Sequence, residues 1–134
     1  MTVRYMLDTN AVSDLVKGNA AITRRLLVTP MSSICISAIT EGELLYGLAK
    51  RPAMKRLRLV IEEFLLRCDV LPWDSTVTTH YGKLRAALES QGKLLQPLDL
   101  QIAAHALSVG AVLVTGDQAF ARIPELVVED WGIE

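Results

Sequence analysis

Residues 3–15 read VRYMLDTNAVSDL. An apolar run from Val3 to Leu7, the length of a buried strand, stops at Asp8, and a helical pattern follows from about Ala11 to Lys17. The rest of the chain repeats this alternation. A helix is predicted from Ala20 to Val28, a strand from Ser33 to Ile36 and a helix from Ala38 to Lys50. The next helix, from about Ala53 to Arg67, carries Leu57, Val60, Ile61, Phe64 and Leu65 at helical spacing. A short strand at Val70 and Leu71 leads to Asp74, the expected N-cap of a long helix with Val77, Tyr81, Leu84 and Leu88 on one face and Gly92 as its stop. Pro97 opens another helix that Gly110 closes. Ala111 to Thr115 reads as a buried strand, a short helix begins near Asp117, and Leu126 to Val128 gives a last strand. Strands separated by helices imply an α/β fold, a mainly parallel sheet with helices on both faces.

Open parallel sheets hold their ligands beyond the carboxyl ends of the strands. Asp8 stands at such an end, and so does Asp117 in AVLVTGDQAF, residues 111–120.

The chain has 134 residues, 51% hydrophobic and 22% charged, which suits one globular domain over residues 1–134 without repeats or linkers. No stretch reaches the length of a membrane span, and Val3 to Leu7 is too short for the apolar region of a signal peptide, so a cytoplasmic location without membrane attachment is expected. Cys35 and Cys68 lack Cys-x-x-Cys spacing and are expected as reduced core residues. Trp73 and Trp131 are expected at the edge of the core. A net charge of −1 does not mark a nucleic-acid binder, so any polyanion must be held locally. The tightest basic cluster is Lys50, Arg51, Lys55, Arg56 and Arg58, straddling a predicted helix start where cations oppose the dipole. Arg24 and Arg25 form a second pair. With 5% aromatic residues, no stacking platform for single-stranded bases is expected. A Gly-rich phosphate loop is absent, which argues against an NTPase.

Two further acids join Asp8 and Asp117. In ISAITEGELLYG, residues 36–47, Glu41 and Glu43 lie about 200° apart around a helix, so only one faces a given pocket. Glu43 is the expected one, on a sheet-packing face with Ile39 and Tyr46, and Glu41 is expected in solvent. Asp99 falls in the first turn after Pro97, where the helix dipole favours negative charge. Each acid taken singly has a capping or dipole explanation. Taken together, two like charges about 5 Å apart repel by roughly 3 kcal/mol at an effective dielectric of about 20, so a convergent set demands a cation. All-oxygen ligation suits Mg²⁺ or Mn²⁺, and His80 and His105 are expected to be structural or surface residues outside it. Such a site suits phosphodiester hydrolysis.

At these residues the chain resembles a PIN-domain ribonuclease, specifically a VapC-type toxin of a type II toxin-antitoxin pair. The resemblance runs through MLDTNAVSDLVKG, ISAITEGELLYG, PWD, HYGKLRAALESQGK and PLDLQIAAHALSVGAVLVTGDQAFARIPELVVEDW. It implies a PIN-like three-layer α/β/α sandwich and carries the family's acidic positions onto Asp8, Glu43, Asp99 and Asp117 as catalytic and metal-binding residues. Thr9, Asn10, Thr115 and, more weakly, Ser13 would be supporting residues. The resemblance further implies Mg²⁺- or Mn²⁺-dependent cleavage of single-stranded RNA regions, leaving a 5′-phosphate and a 3′-hydroxyl. Relatives act on tRNA, notably the anticodon stem-loop of initiator tRNA, and so inhibit translation. It implies a homodimer and a VapB-type antitoxin that inserts a C-terminal segment into the acidic pocket.

Two other readings compete. In one, Asp8-x-Asn10 is a phosphoaspartyl-transfer motif with Asp8 as nucleophile, but Asn10 stands where a general acid is needed. In the other, the chain is a non-catalytic RNA- or antitoxin-binding module whose acids are caps, against which the retention of all four acids counts.

Overall fold

The structure is a computed structural model that describes residues 3–133. Its centre is a five-stranded sheet in the order β3-β2-β1-β4-β5, formed by β1 (Tyr5–Leu7), β2 (Ile34–Ser37), β3 (Asp69–Leu71), β4 (Val112–Val114) and β5 (Val128–Glu129). Every pairing among these strands is parallel. Parallel neighbours need long crossovers, and helices supply them. They are α1 (Thr9–Val16), α2 (Ala20–Leu27), α3 (Ala38–Lys50), α4 (Lys55–Arg67), α5 (Ser75–Ser90) and α6 (Pro97–Val109).

Alternation along the strands divides the interior in two. Met6, Cys35 and Leu113 point into a core with Leu84 and Leu88 of α5, Leu100 and Ile102 of α6, and Phe120. Leu7, Ile34, Ile36 and Val114 point the other way, onto Val12, Ile22, Leu44, Leu48, Ile61 and Phe64 of α1 to α4. The result is the expected three-layer α/β/α arrangement.

The helix ends show why the chain breaks where it does. Asp8, Asn19, Ser37 and Asp74 each cap a helix by accepting a backbone N–H. Gly110 takes φ +68°, the left-handed conformation that lets α6 turn sharply into β4.

Three expectations need adjustment. The buried stripe of α3 is Thr40, Leu44 and Leu48 rather than Ile39, Glu43 and Tyr46, and Tyr46 is exposed. Apolar residues occupy so much of α3 that periodicity alone does not select the stripe. The segment after Asp117 is a 3-10 turn, Gln118–Arg122. The last strand sits later than Leu126 to Val128, because its pairing with β4 matches Leu113 to Val128 and Val114 to Glu129.

The cysteines are free and buried, and burial pushes the Cys35 thiol up to about 12 and that of Cys68 to about 11. Trp131 is buried against Tyr5 with the Arg25 guanidinium 4.7 Å from its ring centre, while Trp73 packs partly against the α5–α6 core. Among the described residues no helix is long and apolar enough to cross a membrane.

Leu113, fully buried at the centre of its layer, should cost about 2–5 kcal/mol when replaced by alanine. Gly110→Ala should cost about 1 kcal/mol through its positive φ. Urea unfolding of both variants measures these losses, and equal small effects would contradict the packing described.

Candidate active site at the carboxyl edge of the sheet

The chain runs from β1 to β2 and β3 on one side of the sheet, then crosses to β4 on the other, so the topological switch lies between β1 and β4. Asp8 and the Thr115-Gly116-Asp117 loop emerge there.

Asp8 is 3% exposed. Its backbone N–H donates to Val114 O at 3.1 Å, continuing the β1–β4 ladder by one residue, and its carbonyl accepts from Val12 N at 3.1 Å. Oδ1 accepts from Ala11 N at 2.8 Å. The Thr115 hydroxyl also donates to this carboxylate, while Thr115 Oγ1 accepts from Asp117 N at 3.0 Å. One buried hydroxyl thus ties the two loops together. These bonds favour the ionised form, but burial outweighs them and, with the charges of Asp99 and Asp117, raises the Asp8 carboxyl from 3.8 to about 6.

Asp99 lies half-buried in the first turn of α6, and its carboxyl is raised by burial and then by the charge of Asp117. Asp117 caps the following 3-10 turn, with Oδ1 accepting from Ala119 N at 2.9 Å. The capping explanation therefore holds for Asp8 and Asp117, and the dipole explanation for Asp99, which lies in the first turn of α6. Capping uses only part of a carboxylate's accepting capacity.

Glu43 is half-buried on α3, facing α1 and α4. It lines a mainly apolar pocket of about 260 Å³ with Thr9, Ser13, Leu44 and Arg51. Glu41 turns elsewhere, and its charge acts on Cys68. The two glutamates do face different surroundings, although Glu41 is half-buried rather than solvated.

Asp8, Asp99 and Asp117 therefore act on one another electrostatically, while Glu43 lines a separate pocket that borders theirs at Ser13. Among the described residues no three acids, histidines or cysteines already form a cage for a metal ion. The donor chemistry still fits Mg²⁺ or Mn²⁺, being all oxygen, with one buried carboxylate whose ionised form is unfavourable until a positive charge meets it.

Of the supporting residues, Thr115 bonds Asp8 directly, Thr9 reaches Thr40 Oγ1 of α3 at 3.5 Å, Ser13 is half-buried and Asn10 is exposed. His80 is exposed and bonds Thr76 O of its own helix. His105 is 1% exposed, and its Nδ1 meets Ser37 Oγ at 2.7 Å. This bond joins α6, which carries Asp99, to the start of α3, which carries Glu43. Ser37 is readable from sequence as an N-cap, but its partner 68 residues away is not.

The basic cluster divides. Lys50 and Arg51 belong to the C-terminal end of α3, where the dipole favours cations, so opposition to a dipole applies only to Lys55, Arg56 and Arg58 at the start of α4. Lys50 lies over the Tyr46 ring. Of the five, Arg51 lines a pocket with Glu43.

Residues 5–126 match the PIN domain family. The chain is 39% identical over 130 residues to the tRNA(fMet)-specific endonuclease VapC of Shigella flexneri, covering 96% of this chain and 98% of that protein. Among solved structures, DNA-bound VapBC from Salmonella typhimurium superposes with a TM-score of 0.90 at 39% identity, covering 97% of this chain and 99% of that one. VapBC2 from Rickettsia felis, bound to a DNA fragment from its promoter, superposes with a TM-score of 0.89 at 34% identity, covering 96% and 99%.

Because the Asp8 carboxyl titrates near 6 when folded and near 3.8 when unfolded, the folded state holds the extra proton between those values. Stability contributed by Asp8 is then full below about pH 4 and lost as pH rises through 6, about 3 kcal/mol in all. Asp8→Asn keeps the cap without the charge. In EDTA it should be more stable than the parent by up to that amount at pH 7.5, with the gap closing towards pH 4. Denaturant midpoints across pH measure the gap, and a pH-independent difference would contradict the charge burial.

Proposed function

Since the chain belongs to the PIN-domain family, within its VapC ribonuclease branch, we propose that residues 1–134 form a single nuclease domain, the toxin of a VapBC-type toxin-antitoxin pair. It cuts single-stranded regions of RNA endonucleolytically with Mg²⁺ or Mn²⁺. The substrate class is tRNA, with the anticodon loop of initiator tRNA the leading target, and cleavage inhibits translation in the cytoplasm. A VapB-type antitoxin neutralises it, and the toxin is a homodimer within the hetero-oligomer. The observation that carries this reading is a trio of mutually repelling aspartates at the switch point of a parallel sheet, in a chain 39% identical to an endonuclease named for tRNA(fMet).

Asp8, Glu43, Asp99 and Asp117 would hold the metal. When bound, it supplies positive charge that offsets the developing charge on the phosphate and acidifies an attacking water. The chain's own residues do the positioning. Thr115 and the Ala11 N–H hold the Asp8 carboxylate in one orientation, so little rearrangement is needed when substrate arrives. Asp117 is held to the same loop through its N–H bond to Thr115. Thr9, Asn10 and Ser13 present hydroxyl and amide groups along the first two turns of α1, next to the acids. Water adds to the phosphorus and the P–O3′ bond breaks, leaving a 5′-phosphate on one fragment and a 3′-hydroxyl on the other.

The test is incubation of antitoxin-free protein with total RNA under Mg²⁺, Mn²⁺ or EDTA, followed by mapping of new RNA ends. Discrete 5′-phosphate ends should appear with either metal and vanish with EDTA. Asp8→Asn and Asp99→Asn should each lower cleavage at least about 100-fold while remaining folded, and Glu43→Gln should hurt far more than Glu41→Gln. Folded parent protein that produced no ends with either metal would favour the binding-module reading instead.

A further inference from the structure

We propose that Lys17 anchors the RNA backbone beside the acidic site, pairing its ammonium with a phosphate near the scissile one; the proposal rests on the ribonuclease reading above. A cleft of about 500 Å³ is lined by Asn10, Ser13, Asp14, Lys17, Gly116 and Asp117. It lies between α1 and the loop after β4. Asn10, Ser13, Asp14 and Lys17 are spaced i, i+3, i+4 and i+7, one face of α1. The cleft therefore begins at Asp117, next to Asp8, and runs along the helix to Lys17.

Charge makes the position of Lys17 consequential. Two of the lining residues, Asp14 and Asp117, are acids, and Asp117 lies close enough to Asp8 and Asp99 to act on both, so a phosphodiester entering this cleft meets negative charge. Among the described residues, Lys17 is the one cation lining it. It takes no part in the ion pairs that engage Arg4, Arg25, Arg67 and Arg85. It also lines the neighbouring pocket that holds Glu43 and Arg51. Lys17 thus stands on the ridge between the two hollows on either side of Ser13, exposed and free to pair.

Its backbone is fixed where its side chain is free. The Lys17 N–H donates to Ser13 O and Leu15 O, and Gly18 at φ +87° turns the chain away immediately afterwards. The Lys17 backbone therefore sits at the end of a rigid helix, roughly 13 Å along the axis from Asp8, and a flexible stem carries the ammonium. The C-terminal dipole of α1 accounts for a cation at this end. It does not account for one on the face that lines both hollows. Between Asp8 and Lys17, Asn10 and Ser13 offer neutral hydrogen-bonding groups that a sugar-phosphate backbone accepts without a charge penalty.

The test uses the full chain carrying Asp99→Asn, to stop cleavage, and a short fluorescent single-stranded RNA of mixed sequence, with binding read by anisotropy across a salt series. Adding Lys17→Ala should weaken binding about 3- to 10-fold and reduce the slope of log affinity against log salt by about 0.7, the loss of one single-strand phosphate contact. Lys17→Arg should restore both, and thermal midpoints should not move. In the chain with Asp99 intact, Lys17→Ala should raise KM by the same factor and leave kcat within about twofold. Unchanged affinity and slope, a fall in kcat alone, no restoration by arginine, or no RNA binding at all would each overturn the proposal. Lys17-dependent RNA binding without cleavage by the parent chain would instead sink the ribonuclease reading and leave the phosphate contact standing.

Discussion

Burying an ionisable carboxylate at the end of the central strand costs several kcal/mol unless hydrogen bonds or a cation meet it, and the surrounding loops are arranged around that cost. Asp8 is 3% exposed, yet it receives the Ala11 N–H and the Thr115 hydroxyl. The same two contacts begin α1 and fix the loop after β4. Local structure and site are therefore one set of bonds: a change that releases Asp8 also loosens a helix start and a strand exit. The bonds only partly offset the burial, as the rise of the Asp8 carboxyl to about 6 shows. The remaining imbalance gives a positively charged ligand free energy to recover on binding.

The sheet's alternation decides where the other acids come from. Glu43 rides on α3, whose buried stripe packs in the layer with α1 and α4. Asp99 rides on α6, in the opposite layer with α5. Asp8 and Asp117 leave the sheet itself. The acids thus draw on all three layers, and the buried Ser37–His105 contact clamps the two helical ones across the sheet edge. His105 Nε2 makes no hydrogen bond, but its ring stands edge-on to Trp73 with centroids 5.7 Å apart, in keeping with a neutral imidazole used for packing.

Much of this was legible in the residues because local chemistry decided it. Pro97 and Gly110 bound α6 since one residue lacks a donor and the other tolerates positive φ. Asp8 and Asp74 read as caps because a short acid beside a helical pattern has an N–H to accept. The α3 stripe was not legible: Ile39, Leu44, Leu45, Tyr46 and Leu48 point in several directions, and only the sheet decides which are buried. Nor was the 3-10 geometry after Asp117, which helical propensity does not separate from one turn of α-helix. For the site, spacing placed Asp8 and Asp117 at strand ends, helix position suggested Asp99 and Glu43, the family resemblance carried roles onto all four, and none of these revealed that a hydroxyl joins Asp8 to Asp117 or that Lys17 shares a cleft with Asp117. Those are facts of side chains meeting across long separations.

The strand order has a consequence for synthesis. β1 is the first strand made, yet its partner on one side, β4, is the fourth, so Tyr5 to Leu7 must wait for Val112 to Val114 more than a hundred residues later. Until then one edge of β1 stays open and Asp8 lacks the Val114 carbonyl that holds its N–H. Asp99 and Asp117 are also late. A chain emerging from the ribosome therefore carries an incomplete set of acids for most of its translation, and the site closes almost as the last strand arrives.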